Sequence, residues 1–233
     1  SALAVSIFAA VFLFLTVEAH GQGANEPELK SRFEAWYNTQ SWNGGASYSG
    51  VFFDQSIYED AFDKDYLPMV RFYSAWQPLS NLSLELSLGG LYEYGRSKGI
   101  STGDLSEEEY QFYVFPVQGR VRYSFMFDRD QPVVPSVWGG GDWWYFFEKN
   151  GDVVEGDKSG YHYGADIGIL LDRADPASAD TLKKEWNIDN TYLCLGYEHM
   201  EVGESEDGLR FSGEVYTVGL RFETYNRPAV SLY

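Results

Sequence analysis

Basic residues are scarce. Across 233 residues, 17 Lys and Arg stand against 35 Asp and Glu, giving a net charge of −18. Phosphate contacts need clustered cations, so nucleic-acid partners are excluded. Cysteine is scarcer: Cys194 is the single one. No internal disulfide can form, and zinc or iron–sulfur sites built on thiolates are ruled out. No cysteine follows the leader directly, so a lipid-anchored N-terminus is not expected either. Prolines number only 8 and aromatics reach 18% of the chain, a combination that disordered chains lack. Beyond Val17 no apolar run approaches the roughly 20 residues of a membrane-spanning helix.

The one long apolar run is Ala2–Val17, followed by Glu18 and Ala19. Val17 and Ala19 fit the small-residue cleavage pattern, which predicts a secretory signal peptide over residues 1–19. Residues 20–233 then form one domain.

What the sequence has is alternation. In Leu82–Gly95, Leu82, Leu84, Leu86, Leu88, Tyr92 and Tyr94 share one parity, against Ser83, Glu85, Ser87, Gly89, Glu93 and Gly95. Strand side chains alternate faces, so one face is apolar and the other small, polar or charged. A globular core could not hold such carboxylates unpaired. Tilted strands of about 9–11 residues cross a bilayer, and this one is long enough. Similar patterns predict strands at Arg32–Thr39, Tyr66–Gln77, Tyr110–Phe127, Val133–Phe147, Tyr161–Leu171, Thr191–Met200 and Phe211–Tyr225. Polar loops are expected at Gln40–Asp65, Arg96–Glu109 and NGDVVEGDKSG. Asp175 can cap a helix with Pro176 at its first position, so Asp175–Trp186 is predicted helical.

The fold class is therefore all-β: an eight-stranded antiparallel transmembrane β-barrel, with one short periplasmic helix between strands 6 and 7. Long acidic connections alternating with short ones place the loops outward and both termini in the periplasm, in the cell outer membrane. The rival is a soluble barrel of lipocalin type, which hides its apolar face inside. Opposite charges on the polar parity, aromatics toward strand ends and acidic residues confined to alternate connections favour the membrane form.

The segment LLDRADPASADTLKKEWNIDNTYLCLGYEHMEV, continuing into RFSGEVYTVGLRFETY, carries a recognisable signature, as does VVPSVWGGGDWWYFF. It resembles the C-terminal signature of a family of myxobacterial-type outer-membrane β-barrel proteins, small barrels of the OmpA/OmpX kind. There an LLD-x-x-(D/E)-P segment precedes a G-I-x-x-T-Y-L-F strand and a closing G-L-x-F-E-F strand. Asn187 stands where glycine is usual, and the family's closing aromatic would be Tyr225 or Tyr233. The resemblance covers roughly the second half and implies fold and location; it carries no activity with it.

Candidate chemistry lies on the polar parity. Arg32, Glu34, Arg71, Glu85, Glu93, Arg120, Arg122, Asp142, Asp166, Glu198, Arg221 and Glu223 are predicted to form a charge network in the lumen. Arginine, with its planar fork, suits bidentate pairing in a confined space. A selectivity lining and a plug are both readings of such a network, and an eight-stranded barrel has room only for its own side chains. Glu85 is expected at the hub, with Arg71 opposite Ser87 and diagonal to it, and Arg120 or Arg122 facing it across the next hairpin. His162 shares its face with Asp166 and could pair with it, but no serine nearby completes a triad. No catalytic, metal or cofactor residue is assigned. The acidic stretches NGDVVEGD and GESEDG do not fit a calcium loop. In WGGGDWW the glycines read as room for bulky neighbours, not a phosphate loop. The function expected is structural or adhesive, with acidic loops and a plugged lumen. The alternatives are a small-solute or ion pore, a lipid-modifying outer-membrane enzyme and a soluble ligand-binding barrel. Expected partners are outer-membrane lipid, lipopolysaccharide and the barrel-assembly machinery, for a monomer.

Overall fold

A computed structural model describes residues 41–55, 62, 64–98, 105–127, 131–150, 152–203 and 210–225. Eight strands run in order: β1 (Ser41–Phe53), β2 (Leu67–Leu79), β3 (Leu82–Lys98), β4 (Leu105–Ser124), β5 (Val133–Asn150), β6 (Asp152–Leu170), β7 (Asn190–Val202) and β8 (Gly213–Tyr225). Each pairs antiparallel with its neighbours, and β1 closes on β8 from Ser41↔Tyr225 to Phe53↔Gly213. The helix α1 (Pro176–Glu185) joins β6 to β7, as predicted. Closure leaves no sheet edge within the ring, so every ring strand is hydrogen-bonded on both sides.

The parity of β3 resolves inside from outside. Leu86 is 58% exposed on the outer surface while Glu85 is 4% exposed in the lumen. Phe72, Leu84, Leu88, Val121, Ile167 and Leu195 continue the outer apolar belt. The greasy face is thus turned out and the polar face in, the reverse of a soluble barrel.

Three expected loops are strand. The predicted strand Arg32–Thr39 lies outside the described residues; within them the first strand is SWNGGASYSGVFF, read from sequence as a connection. Its serines and glycines look like loop residues because the lumen wants small polar groups. Ser41, Asn43 and Ser49 are buried there, with Trp42, Tyr48 and Phe52 outside. Gly45 also has to lack a side chain: a Cβ would stand 2.7 Å from the Tyr73 ring. Arg96–Lys98 extends β3 and Leu105–Glu109 begins β4. The NGDVVEGDKSG loop is likewise a hairpin, with Trp143↔Ser159 through Asn150↔Asp152 in unbroken register. A strand that rises past the bilayer meets water on both faces and becomes polar, which mimics a loop. The expected alternation of long and short connections therefore fails at β5–β6.

At α1 the local chemistry is that expected. Asp175 accepts from the Ser178 backbone N–H at 3.1 Å and from its hydroxyl at 2.6 Å. These bonds hold the Asp175 carboxyl below the usual range. The helix ends at Asn187, whose φ of 56° is left-handed. Glycine fits that region best and asparagine next, which explains an asparagine where the resembled family has glycine.

Candidate functional site

The lumen is layered from one rim to the other. At the rim carrying the β1–β2, β3–β4, β5–β6 and β7–β8 connections lies an apolar cluster that includes Met69, Leu91, Val114, Trp144, Met200 and Val215. Phe62 and Phe211, from two of those connections, are part of it. Phe211 is 0% exposed and stacks on Trp144 at 5.3 Å and Phe112 at 6.2 Å. A second, smaller cluster of Met126, Val134, Leu170 and Tyr192 sits toward the rim of the chain ends. Neither cluster was anticipated from sequence. Their members sit on the inward parity where charges were expected, and only the breaks in polarity at Met69, Leu91 and Met200 signal them.

Between the clusters lies the ionic layer. Glu85 stands opposite Arg120, one of the two partners that the β3–β4 hairpin left open. Arg120 Nε donates to Glu85 Oε2, and Arg122 Nε donates to Glu85 Oε1 at 2.6 Å. Arg122 Nη1 reaches on to Asp166 Oδ2 at 2.6 Å. Both guanidinium groups lie over Trp138, at 5.0 and 4.4 Å from its ring centre. Gly140 faces Arg120, and a Cβ there would stand 2.8 Å from the arginine's own Cβ. The room Gly140 leaves is for its partner on the adjacent strand and not for a neighbour across the lumen.

Arg71 is elsewhere than predicted. Pro78 and Leu79, expected in the turn, belong to β2, so the turn falls at Ser80–Asn81 and Arg71 stands opposite Gly89, with Tyr73 opposite Ser87. It therefore misses Glu85. Its Nη1 donates instead to Glu198 Oε1 and Gln118 Oε1, each at 2.9 Å, and its Nη2 to Thr217 at 2.9 Å. Gln118 bridges onward, donating to Asp142 Oδ1 at 2.7 Å. His162 Nδ1 sits 2.7 Å from Asp142 Oδ2, so its partner is Asp142 and not the Asp166 expected. His162 lies opposite Gly140, two residues from Asp142, a diagonal readable only once the β5–β6 hairpin is known. Arg120 Nη1 approaches Glu198 Oε2 at 3.7 Å, joining the two halves of the network.

Three predicted members stand apart. Arg221 and Glu223 pair at 3.4 Å beside Tyr192, whose ring lies 4.6 Å from the guanidinium. Glu93 is bound by Lys64 at 2.7 Å toward the connection rim. Arg32 and Glu34 lie outside the described residues. Sequence reasoning missed Gln118 and Trp138, neutral side chains that carry hydrogen bonds between charges.

A chamber of about 30 Å³ lies among Arg71, Arg120, Arg122 and Asp166. That is space for a water or two. Its polar lining is guanidinium and carboxylate together with the hydroxyl residues Ser47, Tyr73 and Thr217. His162 and Asp142 are a base and its orienting carboxylate, but His162 Nε2, which would face a nucleophile, has no hydrogen-bond partner among the described residues. His199 faces outward instead, 3.0 Å from Glu214. Among the described residues no group of three or more His, Cys, Asp or Glu has metal-holding geometry.

Eight antiparallel strands closed around a charged, side-chain-filled interior, with the apolar face outward, place the chain among solved barrels. It is similar in fold to OprG. That outer membrane protein of Pseudomonas aeruginosa aligns with a TM-score of 0.53 at 12% identity, covering 79% of this chain and 95% of that one. The N-terminal β-barrel domain of Pseudomonas aeruginosa OprF aligns over 80% of this chain and 99% of its own, with a TM-score of 0.47 and 10% identity. Ail, the attachment invasion locus protein of Yersinia pestis, covers 79% and 97% with a TM-score of 0.44 and 11% identity. Identity at this level speaks to fold alone. No protein-family model matches the chain, and no curated protein matches it.

Proposed function

We propose that this chain is an outer-membrane β-barrel whose lumen is closed by its own side chains and whose role is structural or adhesive at the cell surface. The observation that carries the reading is the pairing of an outer apolar belt with a filled interior. Leucines exposed along β3 would be costly in water and are at home in lipid. Inside, the Arg71–Glu198 and Arg122–Asp166 pairs are buried against one another, beneath an aromatic seal. Both features suit a plug better than a pore.

On this reading residues 1–19 are a leader removed on export, and the barrel-assembly machinery inserts the remainder as a monomer. Chain ends and α1 face the periplasm, and the acidic connections face outward into lipopolysaccharide. The last third's signature supports kinship with myxobacterial-type barrels. No enzymatic role is assigned.

The test has two arms. Fractionation should recover the chain in the outer membrane, in a form that resists detergent until boiled, because every ring strand is paired. Purified protein in a planar bilayer should carry no steady current. A soluble periplasmic chain would overturn the location, and steady conductance would promote the pore. A deletion strain, scored for membrane integrity and surface attachment together, tests the role.

A further inference from the structure

The outer wall carries a groove of about 850 Å³ that crosses β5, β6, β7, β8 and β1. It follows two neighbouring ladder rows. One runs from Pro135 through Leu195 to Tyr48, the next from Val137 through Tyr197 to Gly50. Such rows lie perpendicular to the strands, and the strands of a membrane barrel tilt by about 35–45°. The groove therefore slants down the wall. Its β1 end, at Gly50, lies near the connection rim, and its β5 end, at Pro135, near the rim of the chain ends. Four strand spacings make it about 19 Å long. On β6 the surface drops to Ala165 between Tyr163 and Ile167, which are 43% and 49% exposed. Ile167, Leu195 and Val218 belong to the outer apolar belt, so the groove is continuous with the lipid-facing surface.

The next row toward the connection rim is acidic. Glu214 faces Phe52 on one side and His199 on the other, and Glu201 lies two positions beyond His199 on the same face. Phe52 lines the groove, and the hydroxyl of Tyr197, also in its lining, donates to Glu214. His199 stands between the carboxylates, Nδ1 3.0 Å from Glu214 Oε1 and Nε2 3.5 Å from Glu201 Oε1. Glu214 Oε2 has no hydrogen-bond partner, and the Glu214 side chain is 35% exposed. Arg210 is turned to Ser212 at 2.6 Å and to Asp54 at 3.9 Å. Asp54, Glu201 and Glu214 thus exceed Arg210 and His199 by one negative charge even with the imidazole protonated.

We infer that this groove holds one phospholipid with a primary ammonium headgroup, its acyl chain along the two rows and its ammonium at Glu214. This rests on the outer-membrane reading proposed above. Within a bilayer an acyl chain gains little from leaving other lipid, so shape and packing hold it in the groove. The headgroup is chosen by charge. An ammonium N–H donates to the carboxylate oxygen that has no partner, whereas an anionic headgroup meets like charge. A second copy of this chain fits poorly. A two-fold contact sets the same patch against itself, concave on concave, and brings no cation to Glu214.

The probes are phosphatidylethanolamine, phosphatidylcholine, whose quaternary ammonium has no N–H to donate, and anionic phosphatidylglycerol. Each is titrated into the full folded protein in detergent micelles, and native mass spectrometry counts the lipids bound per chain. One phosphatidylethanolamine should be retained, about tenfold more tightly than either of the others. Glu214→Gln keeps the size of the side chain and should abolish that preference. Ala165→Phe raises the floor from the lipid side, leaves the lumen untouched and should lower retention of all three lipids severalfold. Leu86→Phe, on β3 outside the groove, should change nothing. Heat-shifted mobility shows that each variant is still a closed barrel. Equal binding of the three lipids, an unchanged preference in Glu214→Gln, or unchanged retention in Ala165→Phe would each overturn the site. A lipid-free dimer would overturn it in favour of a second copy. Recovery of the chain in the soluble periplasm would defeat the outer-membrane reading, whereas binding blind to headgroup by a barrel recovered from the outer membrane would defeat the groove alone.

Discussion

Replacing Glu85 with leucine leaves two buried arginines short of a counter-charge. In the native barrel Glu85 Oε1 accepts from Arg122 at 2.6 Å and from the Ser83 hydroxyl at 3.2 Å, while Oε2 accepts from Arg120. Arg122 keeps Asp166, and Arg120 keeps only the longer approach to Glu198 at 3.7 Å. Removing one member of a buried pair costs about 3–5 kcal/mol, chiefly the penalty of the stranded charge. The retained carboxylates favour the lower end, near 3 kcal/mol, which is roughly a hundredfold in the folding equilibrium. Glu185→Leu, on the exposed face of α1, should change stability by no more than about 0.5 kcal/mol. Equilibrium guanidinium unfolding, followed by tryptophan fluorescence in lipid vesicles, compares the two directly. A double-mutant cycle with Arg122→Leu should return a coupling of about 0.5–3 kcal/mol. If Glu85→Leu and Glu185→Leu shift the midpoint equally, the lumen network contributes nothing to stability and the reasoning fails.

Leu86→Arg puts a cation on the lipid face and should cost about 2–4 kcal/mol near the bilayer midplane, a loss read by the same unfolding assay; a neutral outcome would mean that this face is wet. Phe211→Ala empties the aromatic seal, and the cost of about 3–5 kcal/mol for a buried Phe should fall on the connection rim. Amide exchange should quicken around Val202 and Val215 well before the Glu85 layer responds. The Asp175 carboxyl titrates below its unfolded value, so its capping contribution is present above about pH 3.9 and is lost as pH falls through the depressed folded value. Circular dichroism of an α1 peptide in its native sequence should show that acid-side loss, and Asp175→Ala should abolish it.

Side-chain parity needs no partner to be read. Leu84, Leu86 and Leu88 against Ser83, Glu85 and Ser87 already fix a two-faced strand, because alternation is a property of one backbone. The cap at Asp175 and the helix behind it were legible for the same reason: their hydrogen bonds span three residues. The partner of Glu85 was readable to within Arg120 or Arg122, since a single hairpin relates them, and the structure decides for Arg120. Register beyond that was not. The turn after β2 falls at Ser80–Asn81 because Pro78 and Leu79 stay in the strand, and that later turn moves Arg71 from the hub to Glu198. Strands that extend past the bilayer read as loops in the sequence, since polarity marks both a loop and a strand in water. The closed ring alone decided that Arg71 of β2 reaches Gln118 of β4 and that Phe211 closes the lumen over Trp144. Those contacts join residues from distant strands, and their distances are set by closure, strand tilt and the volume left inside, which no local pattern encodes.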